Sequence, residues 1–141
     1  MADDDYKGPV PVPTPETQDF WDGAKRGELR LQRCGEDDCD DVIFPARSFC
    51  PGCGSRSVSN FTASGKGKLY SYVINHRPPP GFGPEPHAIA IVELDEGPRM
   101  MTNIIDCEQT PEALVLDMPV EVAFTPITDE ISLPKFRPAG G

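Results

Sequence analysis

Cys34-x4-Cys39 and, ten residues on, Cys50-Pro51-Gly52-Cys53-Gly54 have the spacing of two short loops closing on one metal ion. A tetrahedral zinc held by four thiolates at roughly 2.3 Å needs two such loops, each delivering a pair of sulfurs. Pro51 stiffens the second loop, and Gly52 and Gly54 are expected to take the positive-φ backbone that aims amide N–H groups at the sulfurs. Those amides matter because four thiolates on one Zn²⁺ leave a net negative charge that outer hydrogen bonds must offset. The first loop carries Glu36, Asp37 and Asp38 and is two residues longer than a minimal CxxC. Two disulfides would be the competing arrangement. An odd cysteine count and an amino terminus without the basic and apolar regions of a secretory signal argue against it. A closed four-sulfur site has no open position for water or substrate, so this metal is expected to organise the fold and not to catalyse.

The elements that must position these sulfurs are short. Seventeen prolines and 13 glycines in 141 residues suit short strands and turns better than a helical bundle. Residues 1–13, with three successive acids and then Pro-Val-Pro-Val-Pro, read as a disordered tether. Thr14 as N-cap, Pro15 at the first helical position and Gly27 as the stop predict a helix over 15–26. Its Phe20, Trp21 and Ala24 form an aromatic patch, which docks either on its own domain or on a partner. Residues 28–33 lead as a strand into the first knuckle and 42–45 lead back out. Further strands are expected at 60–63, 69–75 after a turn at 65–68, 87–94, 99–106, 120–125 and 130–133, with one helical turn at 110–114. The fold class is therefore mainly β: a helix plus zinc ribbon over 14–58, then a small closed barrel of the OB type over 59–138, with a tail at 139–141.

Net charge is −10, and the segments 1–33, 34–60 and 61–141 carry −2, −3 and −5. Nucleic-acid binding draws most of its affinity from Lys and Arg neutralising phosphates, so nucleic acid is not an expected partner. No run of about 18 apolar residues predicts a membrane span, and the expected location is the cytoplasm.

The longest loop of the barrel region, His76 to His87, holds five prolines, Phe82 and both histidines. It reads either as a lid or docking finger, with His76, Arg77, Phe82 or His87 contacting substrate or partner, or as a rigid connection with histidines at strand ends. No nucleophile, base and orienting group can be assembled from the chain, so no catalytic residue is assigned. Cys107, between Asp106 and Glu108, is expected to be an inert thiol. The pairs Asp37/Asp38 and Asp40/Asp41 are expected to be solvated loop charge.

The order of parts resembles the acyl-CoA-associated OB-fold family with an N-terminal rubredoxin-like zinc ribbon. The resemblance rests on Phe20-Trp21-x-x-Ala24, the run Gly27 to Cys34, Phe44-Pro45-x-Arg47, the Cys50–Ser55 knuckle, Gly65-x-Gly67-x-Leu69-Tyr70-Ser71, Met118-Pro119-Val120-Glu121-Val122, and Leu133-Pro134-x-Phe136-Arg137-Pro138. It covers about residues 14–138. Two positions depart from the pattern: the first knuckle is expanded, and Asp117 stands where the family commonly has Gly. The resemblance implies structural zinc on Cys34, Cys39, Cys50 and Cys53. It also implies a non-catalytic subunit that works on acyl-CoA with a thiolase-like enzyme and, in some assemblies, a hotdog-fold hydratase. A dimeric partner would make the assembly two plus two. One branch joins a lipid-transfer-protein-type thiolase homologue to form a retro-aldol lyase acting on steroid-CoA side chains, and the proline-rich tether is similar to an inter-domain linker of that branch. The alternatives are a single-stranded nucleic-acid-binding zinc-ribbon protein using Tyr70 and Tyr72 as a stacking platform, and a stand-alone acyl-CoA binding protein.

Overall fold

The computed structural model describes Tyr6 and residues 8–139. Residues 1–5 and 7 of the expected tether and 140–141 of the expected tail lie outside the described residues. Among the described residues the chain is mainly β, with one short helix α1 (Gln18–Arg26) ahead of eight strands. The helix starts later than its sequence signals suggest. Thr14 closes a separate turn, in which the Thr17 N–H donates to the Thr14 carbonyl at 3.0 Å. Thr17 becomes the N-cap residue, with no side-chain bond to the helix. Gly27 ends the helix as expected, in the left-handed conformation (φ 85°), and the N–H groups of Gly27 and Glu28 bond back to Ala24 and Gly23. Gly23 and Ala24 are buried, and Arg30 bonds Asp19 at 3.0 Å, so the helix docks on its own domain.

Three strands form the ribbon sheet in the order β2-β1-β3: β1 (Arg30–Cys34), β2 (Val42–Ile43) and β3 (Val58–Thr62), all antiparallel. Sequence reasoning gave the third of these to the barrel. It pairs instead with β1 along its whole length, from Cys34↔Val58 to Arg30↔Thr62. Gln32 is buried within β1, where its amide bonds both the N–H and the carbonyl of Arg47 at 2.8 and 2.9 Å. That pair of bonds satisfies a polar group that burial would otherwise penalise, and it pins the segment that follows β2.

The remaining strands are β4 (Lys66–Asn75), β5 (His87–Leu94), β6 (Arg99–Thr102), β7 (Pro119–Pro126) and β8 (Ser132–Pro138), in the order β6-β5-β4-β7-β8. The sheet curls shut just beyond β6. The Phe136 N–H donates to the Asn103 carbonyl at 3.0 Å, the Ile105 N–H donates to the Phe136 carbonyl at 2.7 Å, and Ile104 bridges Phe136 in parallel. This is the OB arrangement. Alternation in β5 holds as expected: Ala88, Ala90, Val92 and Leu94 are buried and meet Leu69, Val120 and Phe136 in the core. The turn expected at 65–68 is instead the start of β4, where Gly67 faces both Leu94 and Val120. A side chain on Gly67 would collide with the Glu93 carbonyl. The last strand runs over 132–138, later than the 130–133 expected. The expected helical turn forms at Thr110–Leu114, with Leu114 buried in the barrel core. Among the described residues no helix is long and apolar enough to cross a membrane.

Candidate metal centre and contact residues

The register of β1 with β2 and β3 brings the two knuckles together at one end of the ribbon. Cys34 closes β1, and its N–H donates to the Asp41 carbonyl at 2.8 Å, which pinches the expanded first loop shut. Asp40 takes the left-handed backbone there (φ 54°). The second loop is held by the Cys50 N–H on the Ser55 carbonyl and the Gly54 N–H on the Cys50 carbonyl, at 2.7 and 2.8 Å. Gly54 has the expected positive φ of 80°. Gly52 does not, and a side chain there would displace only the flexible end of the Asp41 carboxylate.

The four sulfurs lie within 4.8 Å of one another. Cys34 and Cys53 are 3.6 Å apart, as are Cys39 and Cys50. Four sulfurs at ~2.3 Å from a central ion have an edge of about 3.8 Å, so the spacing fits tetrahedral zinc. It is far from a disulfide of about 2.05 Å, and all five cysteines are free. Backbone amides already point at the sulfurs: that of Glu36 at Cys34, that of Asp41 at Cys39, and those of Cys53 and Gly52 at Cys50.

Ionisation of the set is uneven. At Cys50 burial opposes the thiolate, but the two amides and the Cys39 and Cys53 thiols outweigh it and hold this thiol below its usual value. At Cys39 the Asp41 amide favours the thiolate, yet burial and the three neighbouring sulfurs push the thiol well up. The Glu36 amide likewise fails to offset burial and Cys53 at Cys34, whose thiol is raised. The cluster favours a negative sulfur at Cys50 and opposes one at Cys34 and Cys39, and a cation among the four sulfurs would offset that opposition. Zinc would be held by Cys34, Cys39, Cys50 and Cys53 and would supply cross-linking of the two loops.

Among the described residues these cysteines are the only cluster of His, Cys, Asp or Glu with metal-holding geometry. Asp40 of the first loop pairs with Arg33 at 3.9 Å, both largely exposed. Cys107 is half-buried and its thiol is pushed up, first by burial and then by Asp106, in keeping with an inert role.

The other sequence candidates separate into two groups. Phe20 packs on Phe44 at 5.7 Å between ring centres and meets Trp21 edge-on at 5.0 Å. Phe82 stacks on His87 at 6.1 Å. Phe20 and Trp21 line one surface pocket and Phe82 and His87 line two others, and Asn103 borders all three. His76 and Arg77 do not join them, since both are exposed at the start of the loop and line none of these pockets. Met101 and Asn103, which line these pockets, were not singled out from sequence, whereas Lys135 was weighed there with other scattered basic residues as a phosphate contact and read as ordinary surface charge. The only signal for Met101 was an apolar residue on the outward side of an alternating strand. The stacking platform of the nucleic-acid alternative does not form: Tyr72 packs against the core, while a bulge in β4 turns Tyr70 outward under the Arg99 guanidinium, 3.9 Å from its ring.

Comparison with known proteins gives two family matches: the rubredoxin-like zinc ribbon domain of ChsH2 over residues 21–59, and the C-terminal OB-fold domain of ChsH2 over residues 62–125. A probable enoyl-CoA hydratase alpha subunit of Thermomonospora curvata is 37% identical over 121 residues, which is 85% of this chain. The chain spans only 37% of that relative's length. A DUF35 domain-containing scaffold protein of Pyrococcus furiosus is 40% identical over 104 residues, covering 69% of this chain and 75% of the relative. Among solved structures, a chain of the Ltp2-ChsH2(DUF35) aldolase superposes with a TM-score of 0.79 at 35% identity, over 92% of this chain and 99% of the other.

Proposed function

We propose that this chain, which belongs to the DUF35 family of ChsH2-type zinc-ribbon and OB-fold proteins, is a non-catalytic accessory subunit of an acyl-CoA enzyme. Its partner is a thiolase-like enzyme of the lipid-transfer-protein type, and the reaction is retro-aldol cleavage of an acyl-CoA. The observation that carries this reading is the 35% identity and shared architecture over 99% of the chain from the Ltp2-ChsH2(DUF35) aldolase. That likeness takes in ribbon, helix and barrel together. The likeness to a Pyrococcus furiosus scaffold protein supports an organising role. The likeness to a hydratase alpha subunit supports an acyl-CoA setting and a neighbouring hotdog-fold hydratase.

The physical properties of the chain support the same role. Zinc on Cys34, Cys39, Cys50 and Cys53 makes the ribbon rigid, and rigid elements lose little entropy when they dock. Phe82, His87 and the Phe20/Trp21 pair present aromatic surface of the kind that dominates binding energy. A steroid-CoA side chain is the substrate that the resemblance favours, and two copies on a dimeric partner is the assembly.

Tagged protein recovered from its native lysate should bring down a stoichiometric thiolase-like enzyme whose acyl-CoA cleavage is lost when this chain is stripped away. Recovery of the chain alone, or turnover of acyl-CoA by the purified chain without a partner, would overturn the reading.

A further inference from the structure

Strand β5 breaks the pattern of a barrel wall. A strand with one face on the core is normally polar on the other. Here Ala88, Ala90, Val92 and Leu94 fill the core, and the outward positions between them include Ile89 and Ile91. The register carries this apolar surface into both neighbouring strands. Ile89 lies beside Val73 of β4, and Ile91 lies between Ser71 of β4 and Met101 of β6. Val73 is 61% exposed and Met101 70%, the highest values among the large apolar side chains of the barrel. Of the 23 acids in the chain only Glu93 lies on these three strands, and Arg99 at 3.1 Å and Lys68 at 3.6 Å both pair with it. Beside Met101 the face dips into a pocket of about 320 Å³, walled by Pro79, Phe82, Ile89 and Met101, and among the described residues no Asp, Glu, Lys or Arg lines it. Two amides on its rim are half used. The Asn103 side-chain N–H donates to the Ala88 carbonyl at 2.7 Å, and the Asn75 side-chain oxygen accepts the Arg77 N–H at 3.0 Å. The Asn103 oxygen and the Asn75 nitrogen are left for an occupant.

From this arrangement we infer that the outer face of β4, β5 and β6 is the surface by which this chain docks on its acyl-CoA enzyme, and that the pocket beside Met101 receives an uncharged apolar side chain of that enzyme. The inference rests on the accessory-subunit reading and supplies the surface for it. Charge and shape select the occupant. A second copy would bring another net charge of −10 against the first, and an anionic bilayer would repel the chain for the same reason. Three strands span about 10 Å, a field too flat to enclose a small molecule and suited to the centre of a protein interface. One free acceptor and one free donor beside an apolar hollow match the peptide group that flanks an apolar anchor residue. Lys66, Lys68 and Arg99 outnumber Glu93 at one end of the face, so the complementary surface is apolar at its centre and carries carboxylates at that edge.

The test uses the full chain co-expressed with a thiolase-like enzyme of the lipid-transfer-protein type, followed by titration calorimetry of the purified partners. Met101→Glu and Val73→Glu alter side chains that stand mostly in solvent, so both should keep the zinc and the urea midpoint of wild type. Each should weaken the complex about a hundredfold, because a carboxylate would be buried against an apolar surface. Leu116→Glu, 57% exposed and on the β7 side of β4, should bind within about twofold of wild type. Peroxide oxidation read by mass spectrometry gives a second readout on the unaltered chain. Met101 should oxidise in the free chain and lose that reactivity in the complex, with Met100, 3% exposed, as internal reference. A wild-type complex matched by both face variants, an equal loss in Leu116→Glu, or a Met101 still open to peroxide in the complex would overturn the face and leave the accessory-subunit reading standing. A wild-type chain that binds no thiolase-like enzyme would overturn that reading and the inference with it. A dimer of the free chain that Met101→Glu dissolves would overturn the inference by giving the face to a second copy.

Discussion

Replacing Cys50 by serine should empty the metal site and melt the ribbon tip while leaving the barrel intact. Cys50 is fully buried, its sulfur accepts two amide N–H groups, and it stands 3.6 Å from Cys39. A serine hydroxyl is not ionised near neutral pH, so the site would lose one of four anionic ligands at its most enclosed corner. The consequence is large because the tip has little else. Its apolar cluster consists of Cys34, Cys50 and Ile43, with Cys39 and Val58 packed beside them. Burying one isoleucine contributes about 1.5–3 kcal/mol, whereas zinc contributes on the order of 10–16 kcal/mol to small four-ligand domains. The barrel core is a different cluster, built on Leu69, Val92, Val120 and Phe136, and contains none of the four sulfurs. Zinc content by atomic absorption should therefore fall far below the single ion held by wild type. Amide exchange in 34–57 should accelerate about a thousandfold, the factor for a local loss of about 4 kcal/mol, while Leu69, Val92 and their neighbours keep their protection. Cys107→Ser should retain the metal. A Cys50→Ser protein with a full zinc and a protected tip would refute the structural role of the cluster. Collapse of barrel protection along with the tip would refute the independence of the two cores.

Asp117 has φ 67°, in the left-handed region that favours glycine. Asp117→Gly should thus stabilise the fold by a few tenths to about 1 kcal/mol, and Asp117→Ala should destabilise it by about 1 kcal/mol, as read from urea midpoints. The exposed Lys68–Asp117 pair at 3.9 Å lost in both variants contributes little. Gly67→Ala should cost about 2–3 kcal/mol, because its Cβ meets a backbone carbonyl in the barrel wall that cannot move aside; a cost under about 0.5 kcal/mol would show that the β4–β5 contact is slack. The hydrogen bond from Arg99, with help from Lys68, lowers the Glu93 carboxyl below its ordinary value. A depressed carboxyl contributes stability that is complete above the ordinary value and lost as pH falls through the folded one. The stability gap between wild type and Glu93→Gln should therefore be widest above about pH 5 and close below about pH 4; a gap that widens in acid would reverse the assignment.

The metal cluster was legible because ligand spacing is local: each knuckle is a few residues long, and its sulfurs, proline and glycines announce themselves together. Strand β5 was legible for the same reason, since Ala88, Ala90, Val92 and Leu94 alternate within one short run. What escaped was allegiance between distant segments. Residues 58–62 have strand character on either side of the ribbon–barrel boundary, and only their pairing with β1 decides which sheet they join. Lys66–Lys68 has the composition of a turn and becomes strand because β5 and β7 flank it on both sides. Thr14-Pro15 is a sound helix start, but the Thr14–Thr17 hydrogen bonds close a turn before the helix begins. The pockets around Asn103 were the least legible feature. Their aromatics could be chosen by residue type, but Asn103 is an ordinary residue brought among them only because the barrel closes through its carbonyl.

That closure also explains why a structural metal belongs in this protein. Leu29 and Leu31, at the entry to β1, lie in the barrel core, while Cys34 at the other end of the strand lies in the metal cluster. The segment leaving β2 carries Phe44, against which Phe20 packs, and Phe20, Trp21 and Phe44 line one surface pocket. Fixing the ribbon tip therefore fixes the register of β1 with β2, and that register places Phe44 under the helix.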